Sequence, residues 1–317
     1  LDGTARMRER PMWALVEALR EQGAHIESLA EPGALPLVIG PHTSSLRGGE
    51  LRLARPASSQ FVSGLCFAAL LARAPTRIVL EHGTPARPYV DMTLACITAF
   101  GGRAHWSGDD VIEVIPGPLA ARAHTIEPDA SAASYFLAMA AIWGGSCRID
   151  ALGRRSLQGD AAFAHVLARM GAKVEQGDDT TVVTGTGVLR GGEFDLSEMP
   201  DMTPTLAVAA LFAEGPTRIT GVAILRHHES DRLAASASEL RKLGAEVDVE
   251  DDALVVRPPL GGPRRGVRVE SWDDHRMAMA LSLVGDVEIG TPGCVAKTFP
   301  RYFNLLSDLG MVAGSSP

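Results

Sequence analysis

The chain lacks the marks of several protein classes. Its four cysteines, Cys66, Cys96, Cys147 and Cys294, form no CxxC pair. No histidine cluster has zinc spacing, so neither a metal finger nor a disulfide framework is indicated. Each cysteine reads as a small buried hydrophobe in a reducing compartment. No apolar run approaches the ~18 residues of a membrane span; the longest candidate, FVSGLCFAALLA, is short and contains serine and glycine. The net charge of −8 supplies no basic field for nucleic acid or an anionic membrane, so any anion site must be a local gathering of Arg and Lys. Low-complexity segments are few: PPLGGPRRG (Pro258–Gly266) reads as a loop and the terminal AGSSP as a frayed end. LDGTARMRERP, at the start, has neither signal-peptide nor initiator character. The cytoplasm is the expected location, and the chain reads as a piece of something longer or a processed product.

What is present is ordinary globular material, 46% apolar and 21% charged over 317 residues, enough for two domains. Self-similarity organises it. The strand-like stretches PTRIVL, GSCRID, GPTRIT and DVEIGT place Ile78, Ile149, Ile219 and Ile289 at spacings of 71, 70 and 70. Leu1 lies 77 before Ile78 and fits the same slot. A helical stretch precedes each later strand: SSQFVSGLCFAALLA, SAASYFLAMAAIWGG, MTPTLAVAALFAEG and DHRMAMALSLVG. A second follows, closing at Gly23, Gly101, Gly171 or Gly244, as helix C-caps do. The unit is helix, strand, helix, strand. About four full units follow the trailing half of another, which predicts a segment upstream of Leu1. The weaker boundary lies near AARAHTIEPDA.

Polar residues concentrate at the predicted helix N-termini. Second helices start with Arg6, Arg8 and Arg10; Arg87; Arg154 and Arg155; Arg226 and Arg232; and Lys297. First helices start with Ser58-Ser59-Gln60, Asp129 with Ser131, Asp201 with Thr203, and Asp273-Asp274-His275-Arg276. Cations there oppose the helix dipole by ~0.3–1 kcal/mol each, so a recurring choice of Arg suggests that an anion completes the site. For any single Arg a surface ion pair explains the position equally well. Asp129, Asp201 and Asp273 stand where an N-cap belongs; Asp129 reads as a cap, and pattern alone does not separate cap from base at Asp201. The stretch ILRHHESDRLAA could suggest a metal, but His227 and His228 are adjacent and diverge on a helix, which disfavours one.

Nine segments in order, LDGTARMRERP, SSQF, RPYVDMTLA, IEPDASAASYFLA, GDAAFAHVLARMGA, PDMTPTLAVAALFAEGPTRI, HESDRLAASASELRKLGAEV, DDHRMAMA and PGCVAKTFPRYF, together resemble the 5-enolpyruvylshikimate-3-phosphate synthase family over almost the whole chain. The resemblance implies an α/β fold of repeated βαβ-type units in two lobes, an inverse α/β barrel of the enolpyruvyl transferase kind with an active-site cleft between the lobes. Residues 1–125 would be the remainder of the first lobe and 126–317 the second, of three repeat units. It implies transfer of the enolpyruvyl group of phosphoenolpyruvate to the 5-hydroxyl of shikimate 3-phosphate, releasing phosphate, without metal or organic cofactor. The protein would be a monomeric cytoplasmic enzyme with small-molecule partners, and no nucleic acid or membrane. By the same resemblance Asp201 is the base at the attacking hydroxyl and Glu229 the carboxylate handling the proton at the vinyl carbon. Ser58, Ser59 and Gln60 hold the shikimate phosphate and ring, and Tyr89 lies near that ring. Arg10, Arg232, Arg276 and Lys297 hold phosphoenolpyruvate.

There are departures. Ile224 stands in the family's Asn slot and His228 in its Lys slot, where an imidazole is the weaker cation at pH 7, and Ala86 replaces a phosphate-binding serine. The family's N-terminal lysine with its Ser and Arg partners, and its Asn-Ala-Gly-Thr loop, find no match here. A protein limited to these residues is expected to show little or no activity. The alternative reading is a non-catalytic or repurposed anion-binding relative with a degraded site. Enolpyruvyl transfer to a nucleotide sugar is opposed by SSQF and DDHRMAM, and a dehydratase acting on a phosphorylated cyclohexene acid is compatible with Ile224 and His228.

Overall fold

The computed structural model describes residues 1–41, 46–54 and 58–310; the terminal AGSSP lies outside them. The chain divides into two compact units, Leu1–Ile126 and Glu127–Pro317.

The first unit runs α1 (Ala5–Glu9), α2 (Trp13–Glu21), β1 (Ile26–Ser28), β2 (Leu37–Ile39), β3 (Gly49–Leu53), α3 (Ser59–Ala69), β4 (Thr76–Leu80), α4 (Arg87–Ala99), β5 (Arg103–Gly108) and β6 (Val111–Ile115). Its larger sheet has the order β3-β4-β6-β5: β3 and β4 are parallel and the rest antiparallel. α3 follows β3 and α4 follows β4, so the two helices run in the same sense. Thr93 Oγ1 donates to Ser63 Oγ at 2.7 Å between them. Ser59 and Tyr89 each lie one turn earlier, at one end of this helix pair.

The second unit runs α5 (Ala130–Trp143), β7 (Ser146–Asp150), α6 (Phe163–Arg169), β8 (Lys173–Gln176), β9 (Thr180–Thr184), β10 (Leu189–Asp195), α7 (Thr203–Ala209), β11 (Ala213–Thr220), α8 (Arg232–Lys242), β12 (Glu246–Val249), β13 (Ala253–Arg257), β14 (Val267–Glu270), α9 (His275–Ser282), β15 (Val287–Gly290) and α10 (Tyr302–Asp308). The order β10-β11-β13-β12 repeats the pattern of the first unit; β7-β9-β8 and β14-β15 are portions of it.

The seventy-residue repeat is visible as register. Ile78 pairs with Ile112, Ile149 with Thr181, and Ile219 with Leu254, 34, 32 and 35 residues later. Leu1 and Leu37 exchange backbone hydrogen bonds at 2.6 and 2.8 Å, so Leu1 holds the same slot. Two residues beyond three of these isoleucines the backbone turns left-handed, at Ala151, Gly221 and Thr291 (φ 58, 75 and 49). The closing glycines Gly23, Gly101, Gly171 and Gly244 all have positive φ, as a left-handed C-cap requires.

Two kinds of helix follow from two kinds of sequence. α5, α7 and α9 are apolar or small nearly all round, and almost all their residues are buried; such helices belong to an interior. α8 is amphipathic: Leu233, Ala237 and Leu240 face the core while its outer side is polar. Burying each leucine contributes roughly 1.5–3 kcal/mol. The expectation that every cysteine is buried holds for Cys66 alone: Cys147 and Cys294 are half-buried, and Cys96 is exposed because it lies on the outer side of α4, opposite buried Val90, Leu94 and Ile97. No helix among the described residues is long and apolar enough to cross a membrane.

Candidate active site

Three helix starts of the second unit gather charge. Arg232 opens α8, which Asp231 caps by accepting the Ala234 N–H at 3.0 Å. Arg276 lies in the first turn of α9, which Asp274 caps by accepting the Arg276 N–H at 2.9 Å. Asp201 sits in a 3-10 turn, Pro200–Met202, ahead of α7. His228 and Glu229 lie in the bend before α8, and Lys297 ends the 3-10 turn Pro292–Lys297.

Arg232 is the hub, with its side chain 1% exposed. Its Nε donates to Asp274 Oδ2 at 2.7 Å and its Nη2 to Asp274 Oδ1 at 3.2 Å. Nη1 donates to Asp201 Oδ1 at 2.7 Å, and Nη2 also reaches Glu229 Oε2 at 2.9 Å. Arg276 Nη2 meets Asp201 Oδ2 at 2.8 Å, and Lys297 Nζ donates to Glu229 Oε1 at 2.7 Å. His228 Nδ1 lies 3.0 Å from Arg232 Nη1. It also lies 3.4 Å from Asp201 Oδ1.

Burial pushes the Asp201 carboxyl up, but the Arg276 charge, the His228 side chain and the Arg232 charge outweigh it and hold the group below the ordinary carboxylate range. Burial likewise opposes Arg232 and Lys297 at Glu229, and the cations bring it down to about 2. Asp274, fully buried, is lowered because Arg232 overcomes the desolvation. At neutral pH the three carboxylates are anions matched by three cations. Such an assembly can receive a phosphate or carboxylate ligand and present two carboxylates for proton transfer.

Asp201, Glu229, His228, Arg232, Arg276 and Lys297 are thus brought together. The other sequence-derived candidates belong to the first unit. Arg10, half-buried, has Nη1 3.8 Å from Met7 Sδ. Ser58 caps α3 by accepting the Gln60 N–H at 3.2 Å; Ser59 is buried and Gln60 exposed. Tyr89 is half-buried, its carbonyl accepting from Thr93 at 3.0 Å.

The idea that every arginine at a helix start serves an anion does not hold. Arg6 pairs with Glu9, Arg8 with Asp2, and Arg154 and Arg155 with Asp178. Arg87 lies over the Trp106 ring, and Arg226 donates to the Glu250 carbonyl at 2.6 Å. Local partners were close in space though distant in sequence. Asp129 is a cap, accepting the Ala132 N–H at 3.1 Å. Asp201 caps nothing, since α7 starts without a side-chain cap. The cap of α9 is Asp274 rather than Asp273, which is left-handed with φ 54. Ile224 packs against the core of its unit. Among the described residues no group of His, Cys, Asp or Glu could hold a metal.

Sequence reading missed three contributors. Asp274 was one step from the proposed cap, and DDHR was the available signal. Ser230 donates to Asp274 Oδ2 at 3.0 Å. Tyr135 is buried with its hydroxyl making no well-formed hydrogen bond; burial pushes it up to about 12 against the pull of the Arg276 charge.

Comparison with known proteins agrees with the geometry. The family model "EPSP synthase (3-phosphoshikimate 1-carboxyvinyltransferase)" matches residues 1–306. A 3-phosphoshikimate 1-carboxyvinyltransferase of Sulfurovum sp. (strain NBC37-1) is 42% identical over 315 residues, covering 98% of this chain and 73% of the relative. One from Thiobacillus denitrificans is 43% identical over 317 residues with the same coverage. The solved EPSP synthase of Acinetobacter baumannii superposes with a TM-score of 0.79 at 28% identity, covering 100% of this chain and 74% of that one. The enolpyruvyl transferase NikO of Streptomyces tendae shares the fold, with a TM-score of 0.75 at 20% identity over 99% of this chain and 74% of its own. With the repeat, the fold and the charged cluster in agreement, the chain belongs to the EPSP synthase family.

Proposed function

We propose that the protein transfers the enolpyruvyl group of phosphoenolpyruvate to the 5-hydroxyl of shikimate 3-phosphate, and that the cluster around Arg232 takes part in it. In this reading residues 1–125 belong to the first lobe and 126–317 to the second. The observation that supports it most is the convergence of two carboxylates and three cations on the starts of α7, α8 and α9.

Asp201 takes the proton of the attacking hydroxyl as its oxygen bonds to C2 of phosphoenolpyruvate, and Glu229, protonated in the bound complex, gives its proton to C3. In the second step the C2–O bond to phosphate breaks, C3 returns a proton to Glu229 to restore the double bond, and the departing phosphate takes the proton held by Asp201. Arg232, Arg276, Lys297 and Arg10 hold the phosphate and carboxylate and offset charge in the transition states. Ser58, Ser59, Gln60, Tyr89 and His228 hold shikimate 3-phosphate. The protein works as a monomer in the cytoplasm, on small molecules alone.

The test is calorimetric binding of shikimate 3-phosphate, then phosphoenolpyruvate, followed by phosphate release. Arg276→Ala and Lys297→Ala should lose phosphoenolpyruvate affinity, and Asp201→Asn should keep affinity while losing turnover. Wild-type binding by both cation variants would overturn the assignment. Sedimentation velocity checks the monomer.

A further inference from the structure

The three cations sit on separate segments, and one short stretch touches each of those segments. Residues Ser271–Asp274 join β14 to α9. Asp274 grips the Arg232 guanidinium and caps the turn that carries Arg276. Ser271, fully buried, has Oγ 3.2 Å from Thr291 Oγ1; Thr291 opens the turn that ends at Lys297. Between them Trp272 and Asp273 are both left-handed, with φ 57 and 54. Two such non-glycine residues in succession persist only where the surroundings impose them.

Glu239 is tied to this stretch by hydrogen bonds. Its carboxylate is wholly buried. Oε1 accepts the Trp272 indole N–H at 3.0 Å, and Oε2 accepts the Glu270 backbone N–H at 2.9 Å and the Lys242 ammonium at 2.6 Å. Glu239 is two turns beyond Arg232 on α8, on the same face. One rigid helix therefore holds the stretch at both ends, Arg232 at Asp274 and Glu239 at Glu270 and Trp272. Replacing a buried ion pair by apolar residues is often neutral or stabilising. Stability does not ask for a carboxylate at this position, whereas fixing a strained turn does.

We infer that Glu239 is a positioning residue for the anion-binding cations: through Trp272 and the left-handed turn it fixes Asp274, and through Asp274 both Arg232 and the start of α9. The inference rests on the proposed role of the cluster as an anion site. The test measures phosphoenolpyruvate Kd by calorimetry with saturating shikimate 3-phosphate, and Tm, for wild type, Arg276→Ala, Glu239→Gln, Trp272→Phe, the Glu239→Gln/Trp272→Phe double variant and Lys242→Met. Arg276→Ala should abolish binding. Glu239→Gln and Trp272→Phe should each weaken it about tenfold, and the double variant no more than the weaker single. Lys242→Met, which removes only the outer partner of Glu239, should lower Tm and leave Kd within about twofold.

If wild type binds nothing, or Arg276→Ala binds normally, the anion-site reading fails and this inference with it. If Arg276→Ala loses binding while folded Glu239→Gln and Trp272→Phe keep it, only the positioning role fails. Equal weakening by Lys242→Met also overturns it, since the effect is then general stability. Should Glu239→Gln not fold, Trp272→Phe decides, because that indole is 51% exposed.

Discussion

Replacing Arg232 by methionine tests the electrostatics most directly. The variant keeps the stem's packing and removes the one cation shared by three carboxylates. Asp201 retains Arg276, and Glu229 retains Lys297. Asp274 keeps only the Ser230 hydroxyl and the Arg276 N–H, and it is 0% exposed. His275, 3.8 Å away, does not compensate, because burial and the Arg276 charge hold its imidazole below the usual range. Removing one partner of a buried pair costs about 3–5 kcal/mol. For a unit spanning residues 127–317 this corresponds to a fall in Tm of roughly 6–20 °C. In the wild type the carboxylates are lowered, so their contribution is fully present above their ordinary range and is lost only as pH falls below it. In the variant burial and the nearby Glu229 charge oppose only the two remaining hydrogen bonds, so Asp274 should be raised; that carboxylate is then most unfavourable at neutral pH and is relieved as it takes up a proton. Calorimetric scans between pH 5 and pH 8 should show a flat wild-type Tm and a variant Tm that rises on acidification. A pH-independent loss, or a loss under about 1 kcal/mol, would refute the assignment of Arg232 as the counter-ion of Asp274.

Other substitutions probe separate parts of the chain. His228→Lys should tighten phosphorylated ligands at pH 8, measured as a lower Kd; an unchanged Kd argues that this side chain does not meet the ligand. A thiol reagent followed by mass spectrometry should label exposed Cys96 first and Cys66 last, because burial pushes the latter up to about 12; labelling of Cys66 ahead of Cys96 contradicts the packing of α3. Gly221→Ala should cost more in urea unfolding than the ~1–2 kcal/mol of a left-handed residue, since a Cβ there meets Ser197 N and Asp195 Oδ1 at 2.7 Å. Ala151→Gly, at the equivalent place in the repeat, should change stability by less than about 1 kcal/mol.

Periodicity made the fold legible. A seventy-residue spacing of isoleucines survives in the register because each marks a paired strand: Ile78, Ile149 and Ile219 pair with a hairpin, and the strands of Ile78, Ile219 and Ile289 with a parallel strand. Glycine C-caps were legible because the left-handed position penalises other residues. The charged cluster was legible in part. Arg232 and Arg276 announced themselves by opposing the helix dipole, but Arg154 and Arg155 did so equally, and Asp178 sits more than twenty residues away in sequence. Pairing through space cannot be seen in local pattern. Asp273 and Asp274 illustrate the finer limit: which of two adjacent aspartates caps a helix depends on a backbone turn that neither residue type announces.

The cluster also constrains how its chemistry could be switched on. A general base works best with a pKa near the working pH, and Asp201 is held far below that by the cations it touches. Those cations are the groups proposed to bind phosphoenolpyruvate. A phosphate or carboxylate that draws Arg276 and Lys297 toward itself weakens their hold on Asp201 and Glu229. Burial, the largest influence on both groups, then pushes each upward. Anion binding should therefore be coupled to proton uptake by the protein. Calorimetry in buffers of different ionisation enthalpy measures this directly. Because the ligand's phosphate itself titrates near ~6, the comparison is with the Asp201→Asn/Glu229→Gln double variant. Near pH 5 wild type should take up more protons than the double variant, with the two converging at pH 8, where even raised carboxylates stay ionised. Equal uptake at both pH values would show that the cations keep their carboxylate partners when the anion arrives, and that the base is not activated by losing them.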